Sequence, residues 1–240
     1  MTEFVRAAAY AASQKLSDLG VRASRSHLGE VMASLLGYET YAALSTEEAD
    51  VSLEYHLEDA ELLVLDDVGG LARGTLLLAG RPEAEVRQVL VACEEALTTA
   101  ASHARVFTSI AAFYDDYVYE ALVDAVESSP DVADSQAESN AHFTSNARFP
   151  PGLPEVERLW SARQTWSLEA DGSRKGQYDP EGDRMFNGDT LICRAKLNFQ
   201  KAGRAGLIFD DSEAYGGIDD DWRAQDYEQE AEYEAFLRSK

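Results

Sequence analysis

Two incompatible apolar periods divide the chain. Through most of the first 122 residues apolar side chains recur every three or four positions. Between Leu191 and Phe199 they alternate instead, with Leu191, Cys193, Ala195, Leu197 and Phe199 set against Ile192, Arg194, Lys196 and Asn198. The first spacing lines one face of a helix and the second one face of a strand. A chain that changes period in this way belongs to the α+β class, with helices and strands in separate stretches. The expected order is an N-terminal helical module and a helical hairpin, then a small antiparallel β meander, then an acidic C-terminal helix or tail.

Phe4, Ala8, Ala12, Leu16 and Leu19 define a first helix, which Gly20 is placed to end. Ser24 or Ser26 caps a second helix, whose Leu28, Val31, Met32, Leu35 and Leu36 form one apolar stripe before Gly37. Its exposed face is expected to be Gly29, Glu30, Ala33 and Ser34, and Tyr38, Tyr41 and Leu44 are available to close over the stripe. The run STEE from Ser45 has the form of a capping box and predicts another helix start. ELLVLDD fits a buried strand or the inner face of a helix, with helix preferred across 51–78. Pro82 opens a helix carrying Val86, Val89, Leu90, Cys93 and Leu97. Residues from Val106 to Leu122 read as one long aromatic-faced helix, packed antiparallel on that one.

The stretch 129–154 is rich in Ser, Asn, Asp and Pro without apolar period and reads as a linker. A short helix is expected around Val156 to Trp160, then strands in TWSLEA, DTLICRAKLNF and GLIF joined by turn-rich segments. The resulting division is a three-helix module at 1–48, a helical domain at 49–128, a linker at 129–154, a β-rich domain at 155–215 and a tail at 216–240.

Charge narrows the partners. The 240 residues hold 44 acids and 21 bases, a net charge of -23. That field opposes broad contact with phosphate backbones or anionic lipid, so any contact with nucleic acid has to be local. The acidity is uneven: residues 1–44 carry four acids and four bases, whereas 45–163 carry 23 and seven. No apolar run nears the roughly 20 residues of a membrane span. The start lacks the basic and apolar regions of a secretion signal. Two distant cysteines, Cys93 and Cys193, suit a reducing cytoplasm and make neither a disulfide framework nor a zinc site. A cytoplasmic protein without membrane partner follows as the expectation.

The stretch RSHLGEVMASLLGYETYAAL resembles a short helical module found at the start of various bacterial proteins of unestablished function. A Ser-His pair leads into a helix, a Leu-Gly-Tyr turn and a Tyr-Ala-Ala-Leu ending, matched here by Ser26, His27, Glu30, Leu36, Gly37, Tyr38, Tyr41 and Leu44. The resemblance covers residues 1–45, implies a bacterial, phage or mobile-element origin, and supplies no catalytic residue. As a helix-turn-helix reader the module is poor, because the second helix offers no Arg, Lys, Asn or Gln on its expected outer face; only Arg22 and Arg25 precede it.

The familiar catalytic and nucleotide-binding signatures are missing, and the chain reads as a non-enzymatic protein without cofactor. His27 and Glu30 read as a surface pair instead of a metal site. The loop at Asp179, Glu181 and Asp183 starts like a calcium loop but has Arg184 at the glycine position and Thr190 at the final glutamate position. Asp115 and Asp116 read as solvent-exposed. Two basic clusters in predicted turns, Arg174 with Lys175 and Lys201 with Arg204, are the anion-binding candidates. The tail combines Asp219, Asp220 and Asp221 with Trp222, Tyr227, Tyr233 and Phe236 and is the partner-binding candidate. The functional expectation is an accessory or regulatory protein that binds another protein of basic surface, with nucleic-acid mimicry as its sharpest form. The alternative is nucleic-acid binding by the N-terminal module and the four basic residues.

Overall fold

A computed structural model describes residues 3–152, 158–178, 181 and 189–219. The protein is α+β, with helices preceding most of the strands. The chain forms two compact units: one holds 1–118, 155–167 and 198–211, the other 119–154, 168–197 and 212–240.

In the first unit α1 (Glu3–Asp18) ends at Gly20, whose φ of 74° suits a residue without Cβ. Ser24 caps α2 (Arg25–Leu35) by accepting the amide of His27 at 3.2 Å, and Thr40 caps α3 (Tyr41–Glu47) by accepting that of Ala43 at 3.1 Å. STEE therefore does not open a helix: Ser45 lies inside α3, because Thr40 already supplies the cap after the Gly37 turn.

ELLVLDD resolves as a strand. β1 (Leu62–Val64) is buried at every residue, which erases the period that would have announced it. Asp66 then caps α4 (Asp67–Leu77) by accepting the Gly69 amide at 2.8 Å. Pro82 precedes α5 (Glu83–Ala100), as its fixed φ predicts. The expected helical hairpin does not form. Arg105–Phe107 is a strand, β2, parallel to β1 with Leu62 opposite Arg105. Ser109 starts α6 (Ile110–Phe113), and a π-helical turn follows at Tyr114–Val118. α5 packs on α1, α2 and α4.

Three long strands follow in sequence: β4 (Thr165–Lys175), β6 (Thr190–Ala202) and β7 (Gly206–Ile218). With β1 and β2 they make a mixed sheet ordered β2-β1-β7-β6-β4, in which β1 is antiparallel to β7. The predicted meander is thus extended by two strands from the helical stretch.

The first unit's core gathers Ala8, Ala12 and Leu16 of α1, Leu28, Met32 and Leu35 of α2, and Val89, Cys93 and Leu97 of α5. Burying one Leu or Met side chain contributes about 1.5–3 kcal/mol. Of the outer face that the sequence suggested for α2, Gly29 and Ala33 are buried and Glu30 and Ser34 are half-buried. A second apolar group stacks Phe113 on Tyr117 and sets Trp166 and Phe199 beside Phe113.

In the second unit α7 (Tyr119–Ser128) is followed directly by α8 (Pro130–Glu138), which occupies the stretch read as a linker. Ser129 caps it and Pro130 takes its first position, a start signal that the polar composition masked. The side chains of Ser129 and Ser135 donate to the carbonyls of Ala214 and Gly216 on β7, at 2.6 and 2.7 Å. Gly216 lets Val132 approach, since a Cβ there would sit 3.2 Å from the Val132 backbone. A two-stranded ribbon pairs β3 (Ala141–His142) with β5 (Gln177–Tyr178). Leu191, Cys193, Ala195 and Leu197 of β6 are buried, as their alternation requires. Of the helix expected around Val156 to Trp160, Val156 lies outside the described residues, and Leu159–Ser161, in the first unit, forms one 3-10 turn.

Candidate functional groove on the N-terminal helices

A groove of about 980 Å³ opens on α1, α2 and α3, within the stretch that carries the bacterial-module pattern. Its lining includes Val5, Ala9 and Tyr10 of α1, Gly29 of α2 and Tyr41 of α3. Gly29 lies beside Tyr41 in the lining: a Cβ there would make ordinary contact with the Tyr41 ring at 3.5 Å, so only a side chain longer than alanine's would fill the space over it. Tyr10 is 54% exposed, a large aromatic face left in solvent. The Arg25 guanidinium lies 5.2 Å from the Tyr10 ring centroid, which holds that rim residue in place.

The acid in this groove is already matched. Glu30 pairs with Arg73 of α4 at 2.5 Å, with both side chains about one-quarter exposed. No cluster of potential metal ligands occurs among the described residues. Ser34, expected on an outer face, donates to the carbonyl of Gly69 at 3.1 Å.

The four basic candidates fall into two places. Arg174 and Lys175 lie in β4, not in a turn. Arg174 is buried, pairs with Glu127 at 3.1 Å and donates to the Phe143 carbonyl at 3.1 Å. Its Nε is buried without a hydrogen-bond partner, while Lys175 is exposed. Lys201 and Arg204 do come together, in the first unit, at the end of β6 and the turn after it.

Around that turn sits a cluster the sequence reading missed. Arg204 donates from Nε to Glu47 at 3.4 Å and from a terminal nitrogen to the Gly37 carbonyl at 3.3 Å, with its guanidinium 4.9 Å from the Tyr38 ring centroid. The Tyr38 hydroxyl donates to Glu47 at 3.0 Å and accepts the Arg204 amide at 3.2 Å. Burial, reinforced by the neighbouring Glu47 charge, holds the Tyr38 phenol well above its usual range. Arg163 reaches the same Glu47 carboxylate at 3.0 Å. Lys201 is 3% exposed and donates from Nζ to the Arg204 carbonyl at 2.7 Å. Burial pushes its amine down to about 7, against the opposing pull of Glu47. Tyr38 and Glu47 were legible only as an apolar closer and part of a cap, since partners some 160 residues away leave no local trace.

Asp115 and Asp116 are exposed on the π turn, as expected. Of the calcium-like loop, Asp179 and Asp183 lie outside the described residues. So do Asp220, Asp221, Trp222, Tyr227, Tyr233 and Phe236 of the tail; Asp219 is described and donates its amide to the Thr190 carbonyl at 2.8 Å. No helix among the described residues is long and apolar enough to cross a membrane. The chain matches no protein-family model, no curated protein and no solved structure in comparison with known proteins.

Proposed function

We propose that the protein works by binding another polypeptide, and that the groove on α1, α2 and α3 receives an apolar or aromatic segment of that partner. The observation that carries this reading is the open groove of about 980 Å³, with Tyr10 exposed at its rim and Gly29 beside Tyr41 in its lining. Grooves between helices that expose aromatic side chains are the usual receptors of amphipathic segments. The net charge of -23 favours a partner of overall positive charge and speeds its approach, while the groove holds it. An accessory or regulatory role without catalysis fits a surface of this kind.

Reading of duplex DNA by α2 has less support, because that helix buries Gly29 and Ala33 and half-buries Glu30 and Ser34 of its expected outer face. The four basic candidates give it little either: Arg174 and Arg204 are engaged by Glu127 and Glu47.

A photo-crosslinking residue at position 10, with position 51 as an exposed control, tests the proposal in the source cell. Discrete polypeptide adducts at position 10 alone, formed more slowly at high salt and lost in Gly29→Leu, are expected. Adducts to nucleic acid, or none, would overturn it.

A further inference from the structure

A second cavity, of about 340 Å³, lies in the same unit and shares no residue with the groove. Its lining includes Lys201, Arg163, Gln164, Thr165, Gln200 and Ser52, of which the Gln200 amide and the Ser52 hydroxyl already donate to Asp210 and Asp50. We infer that this cavity binds a small oxyanion, a phosphate or a carboxylate, between Lys201 and Arg163.

The lining carries two bases, Lys201 and Arg163, and two acids, Glu47 and Glu54, and Glu47 is shared with Arg204 beyond the lining. Glu47 is the acid at its centre, and one of its oxygens serves both Arg163, at 3.0 Å, and Arg204, at 3.4 Å. Its other oxygen accepts the Tyr38 hydroxyl. Two guanidinium groups thus share that one carboxylate, which is also the acid whose charge acts on Lys201. Glu54, the other acid of the lining, accepts a hydrogen bond from Tyr55.

Lys201 is the group this arrangement leaves short. It is almost wholly buried, its Nζ donates to the neutral Arg204 carbonyl, and its charge is suppressed by burial. A buried ammonium needs a countercharge. An oxyanion would supply it, would form charge-assisted hydrogen bonds with Arg163, which is 67% exposed on its side chain, and would have Gln164 and Thr165 beside it.

Titration calorimetry of the full chain at pH 7.5 tests the inference, with inorganic phosphate in one arm and acetate in the other. Saturable binding of one anion per chain is expected, weakened at least fivefold in Arg163→Gln and at least tenfold in Lys201→Met. Phosphate binding alone assigns a phosphoryl ligand, and acetate binding alone a carboxylate. Binding of neither overturns the inference, as does binding that Arg163→Gln leaves unchanged; that exposed substitution tests the site even where Lys201→Met alters folding.

Discussion

Tyr38 and Glu47 meet through a hydroxyl-to-carboxylate hydrogen bond of 3.0 Å, and the same hydroxyl accepts the backbone amide of Arg204 at 3.2 Å. One phenol oxygen thus links the turn after α2, the end of α3 and the turn before β7. Tyr38→Phe removes both bonds and leaves a buried amide unsatisfied, so a loss of about 1–3 kcal/mol is expected in urea unfolding. The pH dependence carries a second signature. Because the folded phenol titrates above its unfolded value, its contribution is whole below roughly pH 10 and is lost as pH rises beyond it. Wild type should therefore lose stability above that pH more steeply than Tyr38→Phe.

Lys201 titrates in the opposite sense. Its amine is pushed down to about 7 by burial, so the unfolded chain holds more protons than the folded one between that value and its ordinary one. Stability from this group rises as pH climbs from about 7 toward 10 and is lost as pH falls. Lys201→Met should be more stable than wild type at pH 7, by about 3 kcal/mol, with the advantage shrinking as pH approaches 10. A pH-independent difference in chemical denaturation would contradict this.

Gly203 stands in the turn between β6 and β7 with a φ of 65°, and a Cβ there would lie 2.8 Å from Leu57 and 3.0 Å from the Tyr38 hydroxyl. Backbone strain and the clash act together in Gly203→Ala, for which a loss of about 2–4 kcal/mol is expected. A melting temperature within a degree of wild type would show that the turn relaxes freely.

Gly29 predicts the contrary result. It lies inside α2, and a Cβ would make ordinary contact with the Tyr41 ring. Gly29→Ala should stabilise the chain by about 0.5–1 kcal/mol through helix propensity alone. Calorimetric melting reads the sign directly.

Cys93 is wholly buried and its thiol is pushed up to about 12, mainly by desolvation. Cys193 is likewise buried, with its thiol pushed up to about 11. Both should resist a thiol-reactive disulfide reagent in the native protein for hours and react within minutes in denaturant. Fast native labelling of either would place that thiol in solvent.

Legibility varied with how local each determinant is. The apolar stripe of α2, the cap at Ser24, the turns at Gly20 and Gly37 and the alternation of β6 are set by neighbours within a few residues, and the structure keeps them all. β1 and β2 were read as helix because three or four apolar residues have no period of their own; pairing across about 40 residues made them strands. The polar stretch 129–154 hid α8, which is held by Ser129 and Ser135 to carbonyls more than 80 residues on.

What the sequence by itself determined is the α+β class, the helical start and its caps, the alternating face of β6, and a net charge of -23. Tertiary structure alone decided that Lys201 and Arg204 join Tyr38, Glu47 and Arg163, while Arg174 is spent on Glu127. It also decided that α2 buries Gly29 and Ala33 of its expected outer face and leaves a groove beside Gly29. The reason is one of range: helical and strand periods act over a few residues, whereas a buried charge takes its partner from whichever distant segment the packing brings within about 3 Å.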